Sequence, residues 1–187
     1  MIAVESPGFL RRRKIRLHII RGDSGCGLRI LFLPPTSIPA MSQTANAVLD
    51  RLRRAVQGKR PPVAELIGFE LVAVDRGYAK VELEAGPQHA NPMGTLHGGI
   101  LCDIADAAMG IAYASNLAED ESFTTLELKI NFLKPVWNSK LTAEGRVVKA
   151  GRTIGLTECD IFDPDGKLVA RASSTCMTLR GAEAQGR

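Results

Sequence analysis

Residues 91–106 read NPMGTLHGGILCDIAD, and their side chains suit work on a carbonyl. An amide (Asn91), an imidazole (His97), two glycines (Gly98, Gly99) and a carboxylate (Asp106) surround the start of an apolar run. Glycines let another molecule approach the backbone closely. The start of a helix offers unpaired N–H groups and the positive end of the peptide dipoles. Asp106 follows two turns later among Ile104, Ala105, Ala107 and Ala108. The sequence therefore predicts a carboxylate with little water around it, a stronger base or nucleophile than in bulk solvent. Together these groups could polarise a carbonyl and attack it.

Each residue also has a plainer reading. Gly-Gly before a helix is commonly a turn, and a lone His there is commonly a cap. Asp106 is harder to dismiss, because an unpartnered carboxylate on a slim apolar helix is costly. Asp103 is assigned no role. His18, His89 and His97 have no metal-ligand spacing, so neither a metal nor an organic cofactor is expected. Cys102 lacks a paired His and reads as a core residue rather than a nucleophile. Cys26, Cys102, Cys159 and Cys176 show no CxxC pair, and a reducing, cytoplasmic compartment fits them.

The surrounding elements must hold these groups in place. Helical spacing of Val48, Leu49, Leu52, Ala55 and Val56 predicts a helix after Met41, capped by Ser42 or Thr44 and ended by Pro61-Pro62. VAELI reads as a short turn. FELVAVDRG and YAKVELEAG alternate and join at Asp75-Arg76-Gly77, a hairpin signal. A central helix is expected from about Leu96 to Leu117, with Ile100, Ile104, Ala108, Ile111 and Ser115 on one face. Four strand-like runs follow: FTTLELKINFL, KLTAEGRVVKA, TIGLTECDIF and LVARASSTCMTL. In the first, Leu126, Leu128, Ile130 and Phe132 alternate with Glu127, Lys129 and Asn131. Asp163-Pro164-Asp165-Gly166 marks the last turn. Helix, two strands, long helix, four strands is an α+β order with an antiparallel sheet.

Lys149, Gly151, Arg152 and Thr153 make a basic turn between two of these strands. Lys and Arg suit phosphates and a glycine turn exposes backbone N–H groups, although a solvated hairpin tip has the same composition.

The chain has 187 residues with 45% apolar and 24% charged side chains, enough for one domain with a core. Its net charge of +4 is uneven: residues 1–40 carry +5, leaving −1 for residues 41–187. Residues 1–40 show no sustained period and are expected to be a disordered leader or to lie upstream of the natural start, Met41. The domain is placed at 41–187. The Arg-rich leader contains no helix-turn-helix pattern, so no nucleic-acid partner is expected. No run is long and apolar enough for a membrane helix, so no membrane partner is expected either.

HGGILCDIADAAMGIAYAS with Asn91 upstream resembles the hotdog-fold acyl-CoA thioesterases of the phenylacetate-degradation (PaaI-type) family. The resemblance extends over about residues 60–180, through LELKINFLKPV, KAGRTIG and DPDGKLVARAS. It implies a hotdog fold, an antiparallel sheet wrapped around a long central helix. It implies a homodimer or a dimer of dimers, with Asp106 of one protomer facing Asn91, His97 and Gly98 of the other. Gly98 N–H would then polarise the thioester carbonyl and Asp106 would activate water or attack directly. Thr125 stands where the family often has a water-positioning hydroxyl. Gly99, Lys134, Lys149, Gly151, Arg152 and Thr153 would contact substrate or its CoA portion, as would the segment Phe132 to Trp137. The implied activity is hydrolysis of an acyl- or aryl-acyl-CoA to free acid and CoA. The alternative is a non-catalytic acyl-CoA binding or sensor module on the same fold, which would not need Asp106.

Overall fold

The computed structural model describes residues 43–55 and 58–185. The expectations for residues 1–40, the Ser42 cap and the domain boundary lie outside the described residues. The elements are α1 (Gln43–Ala55), α2 (Pro62–Ile67), β1 (Phe69–Asp75), β2 (Tyr78–Ala85), α3 (Gly98–Ala114), β3 (Ser122–Phe132), β4 (Ser139–Ala150), β5 (Ile154–Phe162) and β6 (Leu168–Leu179). Short 3-10 turns lie at Pro87–His89 and Gly181–Ala184.

Each predicted strand forms, because each run keeps one face apolar. The strands make a six-stranded antiparallel sheet in the order β1-β2-β4-β5-β6-β3. Helix α3 lies across one face of the sheet and packs against β2, β4 and β5. This is the hotdog arrangement. Between them sits the core, with Val81, Leu83, Ile104, Ala105, Ala108, Leu141, Ala143 and Ile161 almost fully buried. Burial of a side chain such as Leu141 or Ile161 contributes about 1.5–3 kcal/mol relative to exposure.

Two glycines set how closely α3 approaches. A Cβ at Gly145 would lie 2.4 Å from the carbonyl carbon and oxygen of Ala108. A Cβ at Gly155 would lie 2.2 Å from the Tyr113 ring. With no side chains there, the helix backbone rests on β4 and the Tyr113 ring packs against β5. The Tyr113 hydroxyl hydrogen-bonds the Thr178 hydroxyl at 2.8 Å, which satisfies both in the core.

Several expectations need correction. VAELI belongs to a helix, α2, because Pro62 occupies a first-turn position where its missing N–H costs nothing. Thr44 lies inside α1 rather than at its cap, and the expected end of that helix falls outside the described residues. Helix α3 spans Gly98–Ala114, shorter than 96–117. Leu96 instead bonds to the Val136 carbonyl, and Ser115 caps the end. The buried face of α3 is Leu101, Ile104, Ala105, Ala108, Met109 and Ala112; Ile100 and Ile111 lie at its margin.

Strand β3 carries a bulge. Thr125 pairs with Cys176 and Glu127 with Thr175, leaving Leu126 as an extra residue, 52% exposed. The alternation of Leu128 and Ile130 would otherwise have put Thr125 on the outer face. One inserted residue flips every side chain before it to the other face. Phe123 and Thr125 thereby face α3, with the Phe123 ring 5.5 Å from that of Tyr113.

The outer face of the sheet is charged. Asp160, nearly buried, accepts hydrogen bonds from Arg171 Nε at 2.5 Å and Arg146 Nη1 at 3.3 Å. Burial alone would raise its pKa, but these two guanidinium groups outweigh it and hold the carboxyl below the usual range.

Candidate active site

The loop before α3 is built on itself. The Asn91 side-chain oxygen accepts the N–H groups of Met93 (2.9 Å) and Thr95 (3.2 Å), and its amide donates to the Thr95 hydroxyl at 2.8 Å. Gly94, at φ +82, closes the turn with its N–H on the Asn91 carbonyl. Within one chain Asn91 is thus the organiser of its loop, with its oxygen committed. His89 anchors the loop below. Its Nδ1 accepts from Gly86 N–H, so its Nε2 carries the proton and donates to the Ile67 carbonyl at 2.8 Å.

His97 is the N-cap of α3. Its Nδ1 accepts the Gly99 N–H at 2.9 Å, which leaves Nε2 as the ring's outward donor. That bond occupies Gly99 N–H. Gly98 N–H, one residue earlier, has no hydrogen bond among the described residues. No acidic residue stands in the first turn to neutralise the dipole. Gly98 N–H is therefore the available donor at a positive helix end.

Asp106 lies on the side of α3 away from the core, and here the structure corrects the expected desolvation. In the single chain Asp106 is exposed, because its neighbours Ala105 and Ala108 turn inward. Its Oδ1 accepts a hydrogen bond from Thr125 Oγ1 at 3.2 Å, across from the helix to the bulged strand. Asp103 stands one turn earlier. Partial burial, and then the Asp106 charge, push its carboxyl above the usual range. The sequence reading gave Asp103 no part in the site. The (i, i+3) spacing of the two carboxylates was the signal that they share a face.

Gly98 and Asp106 are eight positions apart, roughly 12 Å along the axis at 1.5 Å per residue. A single carbonyl held by Gly98 N–H is out of reach of Asp106 in the same chain. Within one chain the two groups are separate centres.

The proposed CoA contacts divide. Lys149, Gly151, Arg152 and Thr153 sit at the exposed tip of the β4–β5 hairpin. Neither Lys149 nor Arg152 has an ion-pair partner among the described residues. Gly151 N–H is bonded to the Ile154 carbonyl and is not free for a phosphate. Thr153 offers its carbonyl to Thr178 N–H. Lys134 forms an ion pair with Asp163, whose carboxyl it holds below the usual range. Its charge is already partly neutralised.

Among the described residues no three His, Cys, Asp or Glu side chains converge as a metal cluster. Cys159 is inert as a nucleophile, because burial pushes its thiol up to about 12. No helix of the described residues is long and apolar enough to cross a membrane.

Comparison with known proteins agrees with this geometry. Residues 93–170 match the thioesterase superfamily. The 1,4-dihydroxy-2-naphthoyl-CoA hydrolase of Listeria monocytogenes is 32% identical over 59% of this chain and 90% of its own. Acyl-coenzyme A thioesterase PaaI of Escherichia coli is 31% identical over 57% of this chain and 75% of its own. The solved structure of conserved protein PA5202 from Pseudomonas aeruginosa is 32% identical, covering 68% of this chain and 98% of that one, with a TM-score of 0.62. With a helix-start donor, a strand-held carboxylate and these relatives, the chain belongs to the thioesterase superfamily, in its PaaI-type hotdog branch.

Proposed function

We propose that this protein hydrolyses acyl-CoA thioesters to free acid and CoA, with each active site assembled from two copies of the chain. The observation that carries this is the pair of half-sites on α3: Gly98 N–H unbonded at its start, and Asp106 held by Thr125 two turns on. In a site made of one half from each copy, the thioester oxygen sits on Gly98 N–H. That bond strengthens as negative charge develops on the oxygen, and such a donor is worth about 3–4 kcal/mol of barrier. Asp106 of the second copy either takes a proton from the attacking water or attacks the acyl carbon itself, forming an anhydride that water then opens. In both routes the C–S bond breaks and the sulfur leaves as the CoA thiolate. Thr125 holds the Asp106 carboxylate in line. His97 Nε2 and the remaining Asn91 amide hydrogen orient water or the thioester. Lys149 and Arg152 meet the CoA phosphates, and Lys134 and Gly99 line the approach.

The free edge of β3 supports assembly. It is eleven residues long and, among the described residues, pairs on one side only, with β6. An unprotected edge of this length is a template for another strand. The exposed Leu126, Phe132, Leu133 and Trp137 cluster on this strand and the segment after it. Pairing of two copies there would also cover α3's outer face and withdraw Asp106 from water. A dimer of dimers in a reducing, cytoplasmic setting completes the reading, consistent with the buried thiols of Cys159 and Cys176.

The test is thiol release from a panel of short, medium, long-chain and aryl-acyl CoA esters. Wild type should be active and Asp106→Asn should lose about 10²–10⁴-fold in kcat. Equal activity of the two would refute the catalytic role of Asp106. Binding without turnover by the wild type would favour the non-catalytic module. Mixing tests the two-copy site. Gly98→Pro removes the N–H at a first-turn position, after a His97 already at ψ 131, and its Cβ, which would lie 2.9 Å from the exposed Phe132 ring, turns that ring aside. Mixed with inactive Asp106→Asn and reassembled, it should recover about a quarter of wild-type activity. Half of the dimers would then be hybrids with one intact site of two.

A further inference from the structure

Strand β6 lines the inner face of the sheet with small side chains, and one of them differs in kind. Ala170 and Ala172 stand where β3 is regular, opposite Phe132 and Ile130. Two residues further on, where β3 bulges, the inner position is Ser174, only 1% exposed. A hydroxyl at this depth is costly unless it is bonded. Ser174 Oγ donates to the Glu127 carbonyl at 2.7 Å. Glu127 directly follows Leu126, the extra residue of the bulge, so the bond lands on the backbone of the bulge itself.

Other bonds hold this arrangement from both faces. On the outer face the Thr175 hydroxyl donates to Glu127 Oε1 at 2.7 Å. From β5 the Thr157 hydroxyl donates to the Ser174 carbonyl at 3.1 Å and fixes Ser174 in turn. The next inner position of β6 is Cys176, the register partner of Thr125. The side chains of Ser174, Thr157 and Thr125 lie against its buried thiol. Contacts therefore run from Ser174 through Cys176 to Thr125, and from Thr125 to Asp106. An extra residue in one strand can shift along it, and a slip of one position moves a side chain to the other face. A bond to the Glu127 carbonyl opposes that slip.

We propose that Ser174 is a positioning residue for the Asp106 carboxylate: its hydroxyl locks the β3 bulge, and the locked bulge keeps the Thr125 hydroxyl on Asp106. The inference rests on the thioester-hydrolase reading above and deepens it. Ser174 acts only through Thr125, and that is what an experiment can isolate.

The experiment measures kcat and KM by thiol release, with the best ester of the panel, for wild type, Ser174→Ala, Thr125→Val and the double variant. Ser174→Ala removes one oxygen and no carbon, so the packing around it is kept. It should lower kcat by about three- to tenfold, the value of one hydrogen bond, with little change in KM. In the Thr125→Val background the same substitution should change kcat by no more than about twofold, because the hydroxyl it acts through is gone. A merely structural role would make the two losses multiply. Thr175→Ala, which releases the Glu127 side chain on the outer face, should lower kcat in the same sense. Taken through the same cycle, it serves as the test if Ser174→Ala does not fold. Ser173→Ala, an outer-face neighbour opposite Lys129, should leave kcat unchanged. Active enzymes in which neither Ser174→Ala nor Thr175→Ala lowers kcat, in which the losses multiply with that of Thr125→Val, or in which Thr125→Val keeps wild-type kcat would overturn this inference alone. A wild type inert on the whole panel would overturn the hydrolase reading and this inference with it.

Discussion

Gly145→Ala tests whether close packing of α3 on the sheet is what positions Asp106. The added methyl would lie 2.4 Å from the Ala108 carbonyl carbon and oxygen and 2.7 Å from the Met109 nitrogen. Carbon contacts settle at about 3.5–4.0 Å, so the helix backbone must move outward by roughly 1 Å. No flexible side chain can absorb this, because the obstructing atoms are backbone and Ala108 and Met109 are buried. Overpacking of this kind costs about 1–3 kcal/mol. In a domain of this size that lowers Tm by about 2–12 °C. The shift falls two residues from Asp106, whose hydrogen bond to Thr125 is already 3.2 Å long. A displacement of about 1 Å at a reacting group can cost ~10²-fold in rate. Calorimetry and thiol-release kinetics should therefore show Tm and kcat falling together, with KM changing less. A variant whose kcat and Tm both match wild type would refute the claim that Gly145 sets the helix height. A fall in Tm with unchanged kcat would refute the link to Asp106.

Thr125→Val removes the hydroxyl and keeps the shape. Because hydrogen bonds to charged groups are worth about 1.5–3 kcal/mol, kcat should drop by roughly ten- to a hundredfold with little change in KM, read in the same assay. Asp103 has its folded pKa raised by burial and by Asp106, so its ionisation opposes folding. Its favourable contribution is complete below its unfolded value near 3.8 and is lost as pH rises through the higher folded value. Asp103→Asn should hence raise Tm at pH 7, with the gain vanishing below about pH 3.8, as thermal melts across pH would show. Asp160 has the opposite sign, since Arg171 and Arg146 lower its folded pKa. Asp160→Asn should destabilise by about 1 kcal/mol at neutral pH in denaturant titrations, the small size reflecting the half-exposed guanidiniums. The difference should fade as pH drops through the folded pKa.

Local signals carried much of this protein. The six strands and the central helix were legible because apolar periodicity distinguishes a half-buried strand from a helix without reference to partners. The helix start at His97-Gly98-Gly99 was legible for the same reason: capping is a local property. Other features depend on contacts distant in sequence. The Leu96 end of the expected helix is claimed by the Val136 carbonyl, forty residues away. Lys134 read as a phosphate-seeking cation, but Asp163 on the β5–β6 turn holds it.

Thr125 marks the division most clearly. The amino-acid sequence alone determined that an acidic side chain would ride on a slim helix behind a glycine-rich start, and that a hydroxyl would stand near the head of the following strand. Strict alternation then put that hydroxyl on the outer face. Only the tertiary structure inserted the bulge at Leu126, turned Thr125 inward and joined it to Asp106. The physical reason is that a strand's register is set by the strand it pairs with. The same dependence on packing left Asp106 exposed in one chain and roughly 12 Å from the Gly98 donor of its own chain.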